Sequence, residues 1–230
     1  EKQVITDGDM ALINVQAKTP LTPEQIYTFA VRLCDNQVDR DFERFPRKSL
    51  ERLAELFVGK SGIFDHCWTA AGQTARLYKA EVVDEPGQKT KAGDALSWLK
   101  GYAYMVRTES NQDLIAEIEG GIKREVSVGC SVSRVVCSIC GEEGLRCGHR
   151  KGEVYDGKLC FFSLDEPLDA YEWSFVAVPA QPAAGVVKSK RYGGQEEPQE
   201  PPADAGEEDT LRMAQAMQEQ ETLRYGGIAQ

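Results

Sequence analysis

The most regular pattern of apolar and polar positions lies between Glu125 and Val136, where the two kinds of residue alternate. A period of two is typical of a β-strand with one buried face. The apolar positions, expected to face the core, are Val126, Val128, Cys130 and Val132. The other face carries only small groups, those of Ser127, Gly129, Ser131 and Ser133. We therefore predict a strand with a row of hydroxyl groups on its outer face.

The rest of the chain mixes helical and strand-like patterns. Apolar residues at helical spacing predict a helix capped by Ser49 and a second helix over 110–120, which Gly120-Gly121 ends. Weaker signals are a strand-like alternation at Ala11, Ile13 and Val15, and a helix start at Thr22-Pro23. Further strands are predicted over 74–83, 98–107 and 171–178. This mixture favours an α+β domain, a mostly antiparallel β-barrel or sheet surrounded by a few helices.

The composition changes after residue 188. Residues 189–230 contain nine acidic and four basic side chains, and the first half of this segment is rich in Glu, Pro, Gly and Gln. Such a segment buries too little apolar surface to fold by itself. We therefore predict a folded domain over 1–188 and a flexible, disordered acidic tail over 189–230, with a short helix over 210–223.

Net charge and hydropathy indicate which environment and which partners to expect for the protein. The chain has 230 residues, a net charge of −10 and a pI near 4.9, so it lacks the basic footprint of a nucleic-acid-binding protein. It contains no apolar run of about 18 residues and opens with no apolar leader. We expect a soluble intracellular protein that contacts no membrane and does not bind nucleic acid.

Four of the seven cysteines lie close together, in the segment 137–160. Cys137 and Cys140 are separated by two residues, and Cys147 is followed by His149, a spacing suited to tetrahedral zinc. Cys160 is the alternative to His149 as fourth ligand, and the other interpretation of the cluster is a loop of free thiols. We predict a structural Zn²⁺ site in an inserted loop, and hypothesise that the ion holds an inserted hairpin beside the residues discussed next.

A serine hydroxyl becomes a nucleophile only when a neighbouring base takes its proton. The chain has two histidines, and His149 is better placed in the cysteine cluster. His66 is therefore the candidate base and Ser127 the candidate nucleophile. Ser131 and Ser133 share the face of Ser127 and are its rivals. Cys130 is disfavoured because the alternation places it on the apolar face.

Three motifs occur in an order that resembles a known family. They are Asp65-His66, then Ser127-Val128-Gly129, then Glu172-Trp173-Ser174 followed by Pro179-Ala180. From about Val31 to Val187 the chain resembles the prohead (capsid-maturation) serine proteases of tailed bacteriophages. The resemblance implies a fold like that of the herpesvirus assembly proteases, a small β-barrel with helices around it. It also implies that His66 is the base, Ser127 the nucleophile and Glu172 the acidic third member, for which Asp65 and Asp169 remain alternatives.

The resemblance further implies a cellular role. The protein would be a hydrolase that cleaves the scaffold and major capsid proteins of a phage inside the assembling prohead, in the host cytoplasm; monomer and homodimer both stay open. Repeated Arg-Tyr-Gly-Gly sequences, at 191–194 and 224–227, are candidate self-cleavage sites. One alternative is a catalytically idle assembly factor of the same fold. Another is a zinc-knuckle module that binds nucleic acid through Arg146, Arg150 and Lys151.

Overall fold

The computed structural model describes residues 5–143 and 146–187. These residues form a mixed α+β protein built mostly of strands, as the sequence predicted. The helices are α1 (Asp7–Gln16), α2 (Arg47–Phe57) and α3 (Gln112–Glu119). The strands are β1 (Ile26–Asp35), β2 (Glu43–Arg44), β3 (Ser61–Phe64), β4 (Ala75–Lys89), β5 (Ala95–Val106), β6 (Val126–Cys137), β7 (Val154–Tyr155), β8 (Lys158–Leu159), β9 (Phe162–Phe175) and β10 (Gly185–Val187).

Eight of these strands form one large sheet in the order β10-β1-β5-β4-β3-β9-β2, with β6 also paired to β9, and β7 and β8 form a separate two-stranded sheet. The pairings of β9 with β2 and with β3 are parallel, and the others in this sheet are antiparallel. The predicted barrel is wrong, because the sheet does not close: within the described residues, β10 and the start of β6 are joined only by an isolated bridge between Glu125, just before β6, and Gly185. Pro179 and Pro182 precede β10 and have no N–H to donate, which limits further pairing at this seam.

The core lies between α2 and the inner face of the sheet. Leu50, Leu53 and Phe57 of α2 are fully buried, and they belong to the same apolar cluster as Trp173 on β9. The predicted inner face of β6 is confirmed, because Val126 lies in this cluster and Val128, Cys130 and Val132 pack against it. The strand β6 therefore turns its row of small polar residues away from the core.

The sequence prediction was wrong near the N-terminus. The strand-like alternation around Ile13 is part of α1, which a capping box begins: Thr6 Oγ1 accepts from the Asp9 N–H at 3.1 Å, and Asp9 Oδ2 accepts from the Thr6 N–H at 3.2 Å. These caps outweigh a short alternation. The helix expected at Thr22-Pro23 is a single 3₁₀ turn over Pro23–Gln25, and the long strand β1, which was not predicted, follows it.

Several predictions concern the C-terminal segment. The tail over 189–230, its helix over 210–223 and both Arg-Tyr-Gly-Gly sequences lie outside the described residues. Within the described part, no helix is long and apolar enough to cross a membrane.

Candidate active site and metal cluster

His66 lies on a tight turn directly after β3. The N–H of Cys67 donates to the carbonyl of Phe64 at 2.9 Å, and the two central residues, Asp65 and His66, have φ values of 50° and 54°. Positive φ at both central positions is the pattern of a type I′ turn. Asp and His tolerate this region better than most side chains, although it remains costly. The turn therefore presents the imidazole at the end of β3 in one fixed backbone conformation.

The pairing of β6 with β9 brings the other predicted residues onto one face. Ser127 lies opposite Ser174, and Gly129 lies opposite Glu172. Directly opposite residues of an antiparallel pair point to the same side of the sheet, with Cβ atoms about 5 Å apart. Ser127 and Glu172 are therefore diagonal neighbours on the outer face, about 7–8 Å apart, although they are 45 positions apart in sequence.

A hydrogen bond joins the imidazole to the carboxylate. His66 Nδ1 lies 2.7 Å from Glu172 Oε1. Glu172 is only 4% exposed, whereas the side chain of His66 is 43% exposed. A carboxylate in this position holds the proton on Nδ1 and leaves Nε2 as the atom that accepts a proton. Among the described residues, Glu172 is thus the one whose carboxylate contacts His66.

Ser174 binds both members of this pair, and the sequence analysis gave it no role. Its hydroxyl donates to Glu172 Oε2 at 2.6 Å and accepts the backbone N–H of His66 at 3.1 Å. The residue is fully buried. A signal existed, because Ser174 is two positions beyond Glu172, and residues two apart on a strand share a face.

Gly129 makes room for the carboxylate. A Cβ at this position would lie 2.4 Å from Glu172 Oε1, much closer than any ordinary contact. The sequence analysis explained this glycine by the approach of a substrate. The structure adds a second reason, since any larger residue would displace Glu172 from its place beside His66.

Two of the rival residues, Asp169 and Ser133, have other partners. Asp169 binds Lys60 Nζ at 3.0 Å, and this hydrogen bond lowers the pKa of Asp169. The Ser133 hydroxyl donates to Glu166 Oε2 at 3.0 Å. Burial raises the pKa of the Cys130 thiol to about 11, with smaller contributions from the charges of Glu43 and Glu172, so this thiol is not ionised at neutral pH. Among the described residues, no hydrogen bond joins Ser127 to His66.

No protein-family model, no curated protein and no solved structure matches this chain. The resemblance to the prohead proteases therefore stays a prediction, and the chemistry of the site has to be argued from its own geometry.

A second cluster of chemically active residues lies beyond the end of β6. The ligand atoms of Cys137, Cys140, Cys147 and His149 all lie within 4.8 Å of one another. Zinc bound at about 2.3 Å from sulfur places tetrahedral ligand atoms about 3.8 Å apart. Cys137 Sγ and His149 Nδ1 are separated by 3.8 Å. The four predicted residues are therefore brought together and could hold a metal ion.

The local structure around Cys137 favours its role as a metal ligand. The Gly141 N–H donates to the Cys137 carbonyl at 3.0 Å, which closes a turn after β6. Burial opposes ionisation of Cys137, but backbone N–H groups of Cys140 and Ile139 and the neighbouring thiols outweigh it and lower its pKa to about 6. A thiolate is the form that binds metal, so this sulfur is already suited to the role.

Cys160, the alternative ligand, does not belong to the group of four whose ligand atoms all lie within 4.8 Å of one another. Its sulfur is 3.9 Å from Cys137 Sγ, the residue is fully buried, and burial raises its pKa to about 11. It packs with Cys137 and Phe162 in a small apolar cluster beneath the insert. The geometry therefore favours His149 as the fourth ligand.

The insert does not lie beside the His66 turn, so that part of the hypothesis is wrong. Ten residues separate Ser127 from Cys137 on β6, which is about 30 Å of extended strand. The insert instead contacts β2 and the residue just before it. Lys151 Nζ lies 2.7 Å from Glu43 Oε1, and a Cβ on Gly152 would lie 2.8 Å from the ring of Phe42.

Proposed function

We propose that this chain is a serine endopeptidase with His66 as general base, Ser127 as nucleophile and Glu172 as the group that orients the imidazole. The observation that carries the proposal is the contact between His66 and Glu172 on the sheet face that also bears Ser127. Three separate chain segments supply these groups. Their convergence on a partly exposed face is what acyl-transfer chemistry requires.

The chemistry of the site follows from these positions. Ser127 Oγ attacks a peptide carbonyl while His66 Nε2 takes its proton, and Glu172 stabilises the imidazolium that forms. The imidazolium then protonates the departing amine, which leaves an acyl ester on Ser127. Water deprotonated by the same imidazole hydrolyses that ester and restores the free hydroxyl. The absence of a hydrogen bond between Ser127 and His66 is compatible with this role, since such bonds often tighten only when substrate binds.

The substrates of this activity are proposed from the motif resemblance. They are the scaffold and major capsid proteins of a bacteriophage, cleaved inside the assembling head in the host cytoplasm. Self-processing at the Arg-Tyr-Gly-Gly sequences belongs to the same proposal. The order of the three motifs supports it, together with the contact that joins two of them.

Covalent labelling tests the activity without knowledge of the substrate. A fluorophosphonate reacts with an activated serine, and peptide mass spectrometry identifies the modified residue. We expect one label, on Ser127, which is lost in Ser127→Ala and strongly slowed in His66→Ala. The matched control is Ser131→Ala, on the same face of the same strand, which should label normally. Wild-type protein that never labels yet binds capsid protein would instead be an idle assembly factor.

We also propose that the cluster of Cys137, Cys140, Cys147 and His149 binds one Zn²⁺ ion. Three sulfurs and one imidazole nitrogen form a soft ligand set typical of structural zinc, and four protein ligands leave no open position. The ion would join the end of β6 to the segment that carries Cys147 and His149, which precedes the hairpin of β7 and β8. Elemental analysis should find one zinc per chain, lost in Cys140→Ala and kept in Cys67→Ala, whose exposed thiol lies outside the cluster.

A further inference from the structure

Trp68 and Tyr171 form an exposed aromatic pair at the surface. Their ring centroids lie 5.4 Å apart with an interplanar angle of 56°. Trp68 is 69% exposed and Tyr171 is 44% exposed, whereas the other two tryptophans, Trp98 and Trp173, are buried. A single exposed apolar residue is ordinary, but two large rings held against each other at the surface form a ready contact site for an apolar group.

The position of this pair relates it to the candidate active site. Trp68 is two residues beyond His66, in the loop that leaves the turn, and Tyr171 directly precedes Glu172. The contact between the two rings therefore joins the same two segments as the bond between His66 and Glu172. A group bound to the two rings therefore lies beside the pair of His66 and Glu172.

A β-bulge gives Tyr171 its orientation. Gly129 pairs with Glu172, but the next residue, Cys130, pairs with Ala170, so Tyr171 has no partner on β6. A bulge redirects the side chain of the extra residue while the flanking positions keep their faces. Trp173 and Ala170 accordingly remain in the core. Tyr171 therefore lies outside the pairing of β6 with β9, next to Glu172, and its ring contacts Trp68.

We propose that this aromatic pair binds a large apolar side chain of the peptide substrate close to the scissile bond. The inference rests on the proposed function and adds a substrate class to it: peptides with an aromatic or large aliphatic residue near the cleavage point. Successive residues of an extended peptide are about 3.3 Å apart. A residue within about three positions of a bond held at Ser127 therefore reaches the rings beside His66.

Cleavage specificity is the first test. Wild-type protein is incubated with a peptide library, and products are identified by mass spectrometry. We expect enrichment of Phe, Tyr, Trp, Leu or Met within three residues of the cut. Trp68→Ala should lower kcat/KM for such peptides by about 10- to 100-fold, the usual effect of losing one apolar contact area, and leave peptides with Gly or Ala there nearly unchanged. Val154→Ala, which truncates an exposed apolar residue on the distant hairpin, should change neither class.

Binding to Ser127→Ala provides a second test that needs no turnover. Trp68 is the exposed tryptophan, so its fluorescence reports on an occupied pair. Titration with a blocked Gly-Phe-Gly peptide should change the emission, whereas blocked Gly-Gly-Gly should not, and Trp68→Ala in the same background should abolish the response. Cleavage without apolar preference, or with a preference that survives Trp68→Ala, would overturn the inference while leaving the protease proposal intact. No labelling and no cleavage would overturn the protease proposal, and the fluorescence titration alone would then decide whether the pair binds apolar side chains.

Discussion

At the scale of single residues, the candidate site depends on a hydroxyl that a substrate does not reach. Ser174 is fully buried, yet it accepts a bond from the backbone of His66 and donates one to Glu172. The turn that carries His66 has two non-glycine residues in the left-handed region, a conformation that costs roughly 1–3 kcal/mol for each residue. The two hydrogen bonds of Ser174 compensate this conformational cost, and they hold the imidazole of His66 and the carboxylate of Glu172 in fixed relative positions.

Replacement of Ser174 by alanine should therefore weaken both stability and reactivity. The change leaves a buried carboxylate oxygen and a backbone N–H without a partner, which typically costs about 1–3 kcal/mol of unfolding free energy. We expect that loss in a denaturant titration, together with a roughly tenfold slower reaction of Ser127 with fluorophosphonate. Ser131→Ala removes a serine from the same sheet face and serves as the control. Equal labelling rates in Ser174→Ala and wild type would show that Ser174 does not position the pair.

Gly129→Ala should act on the carboxylate directly. The new Cβ would lie 2.4 Å from Glu172 Oε1, so Glu172 must move away from His66. Inserting one methyl group into a packed site costs about 1–3 kcal/mol, and here the displaced group is the one that orients the base. We expect labelling of Ser127 to fall by roughly tenfold or more. Gly8→Ala is the contrasting substitution, because its Cβ meets Thr6 Oγ1 at an ordinary 3.6 Å within α1 and should leave labelling unchanged.

At the scale of elements, sequence patterns correctly predicted features that depend on the local period of apolar residues, such as which face of a strand is buried. The alternation over 126–132 gave the correct faces of β6 because that strand stays in phase with the core. The same method found only the C-terminal end of β9, since two residues, Leu168 and Tyr171, have no partner on β6 and break the period of two. The pairing of Ser127 with Ser174 depends on contacts between distant segments, and no local pattern contains that register.

The segment that leads into β2 contains a half-buried carboxylate, that of Asp39, with a testable pH effect. Burial raises the pKa of Asp39 to about 6; the backbone N–H groups of Glu43 and Asp41 donate to it and partly oppose the shift, while the charges of Asp41 and Glu43 add to it. A folded-state pKa above the unfolded value means that the protonated form favours folding. This contribution is complete below about pH 4 and is lost as the pH rises through 6.

Asp39→Asn should remove this pH dependence. The amide oxygen can still accept both backbone N–H groups, but the side chain no longer ionises. We expect the variant to gain stability relative to wild type as the pH rises from 4 to 7, measured by denaturant titration at several pH values. Asp41→Asn changes an exposed neighbouring carboxylate. The difference in unfolding free energy between this variant and wild type should vary less with pH. A difference between Asp39→Asn and wild type that does not change with pH would contradict the assignment.

At the scale of the whole molecule, β6 and β9 form a long ribbon with a different chemical site at each end. The contact of His66 with Glu172 lies near the bridge between Glu125 and Gly185, and the Cys/His cluster lies beyond Cys137. The Cys/His cluster was named from its local spacing, whereas His66, Ser127 and Glu172 were named from the order of three distant motifs. The prediction that the two sites lie side by side was wrong, because the alternation already spans Glu125 to Val136, and a strand of that length places Cys137 at the opposite end from Ser127.

This separation predicts that metal and active site can be uncoupled. Chelation of the zinc, or Cys140→Ala, should speed amide exchange in residues 138–143 and 146–161 by about tenfold or more, because the apolar packing described for this part of the insert is one small cluster. The amides of 126–129 and 172–175 lie in the central ladder and should keep their protection. Labelling of Ser127 should then change by less than about twofold, as expected for sites at opposite ends of a strand with no shared partners. Cys67→Ala is the control that keeps the cluster. If labelling fell in proportion to the zinc lost, β6 would transmit order from the insert to the active site, and the metal would have to be counted as part of the catalytic unit.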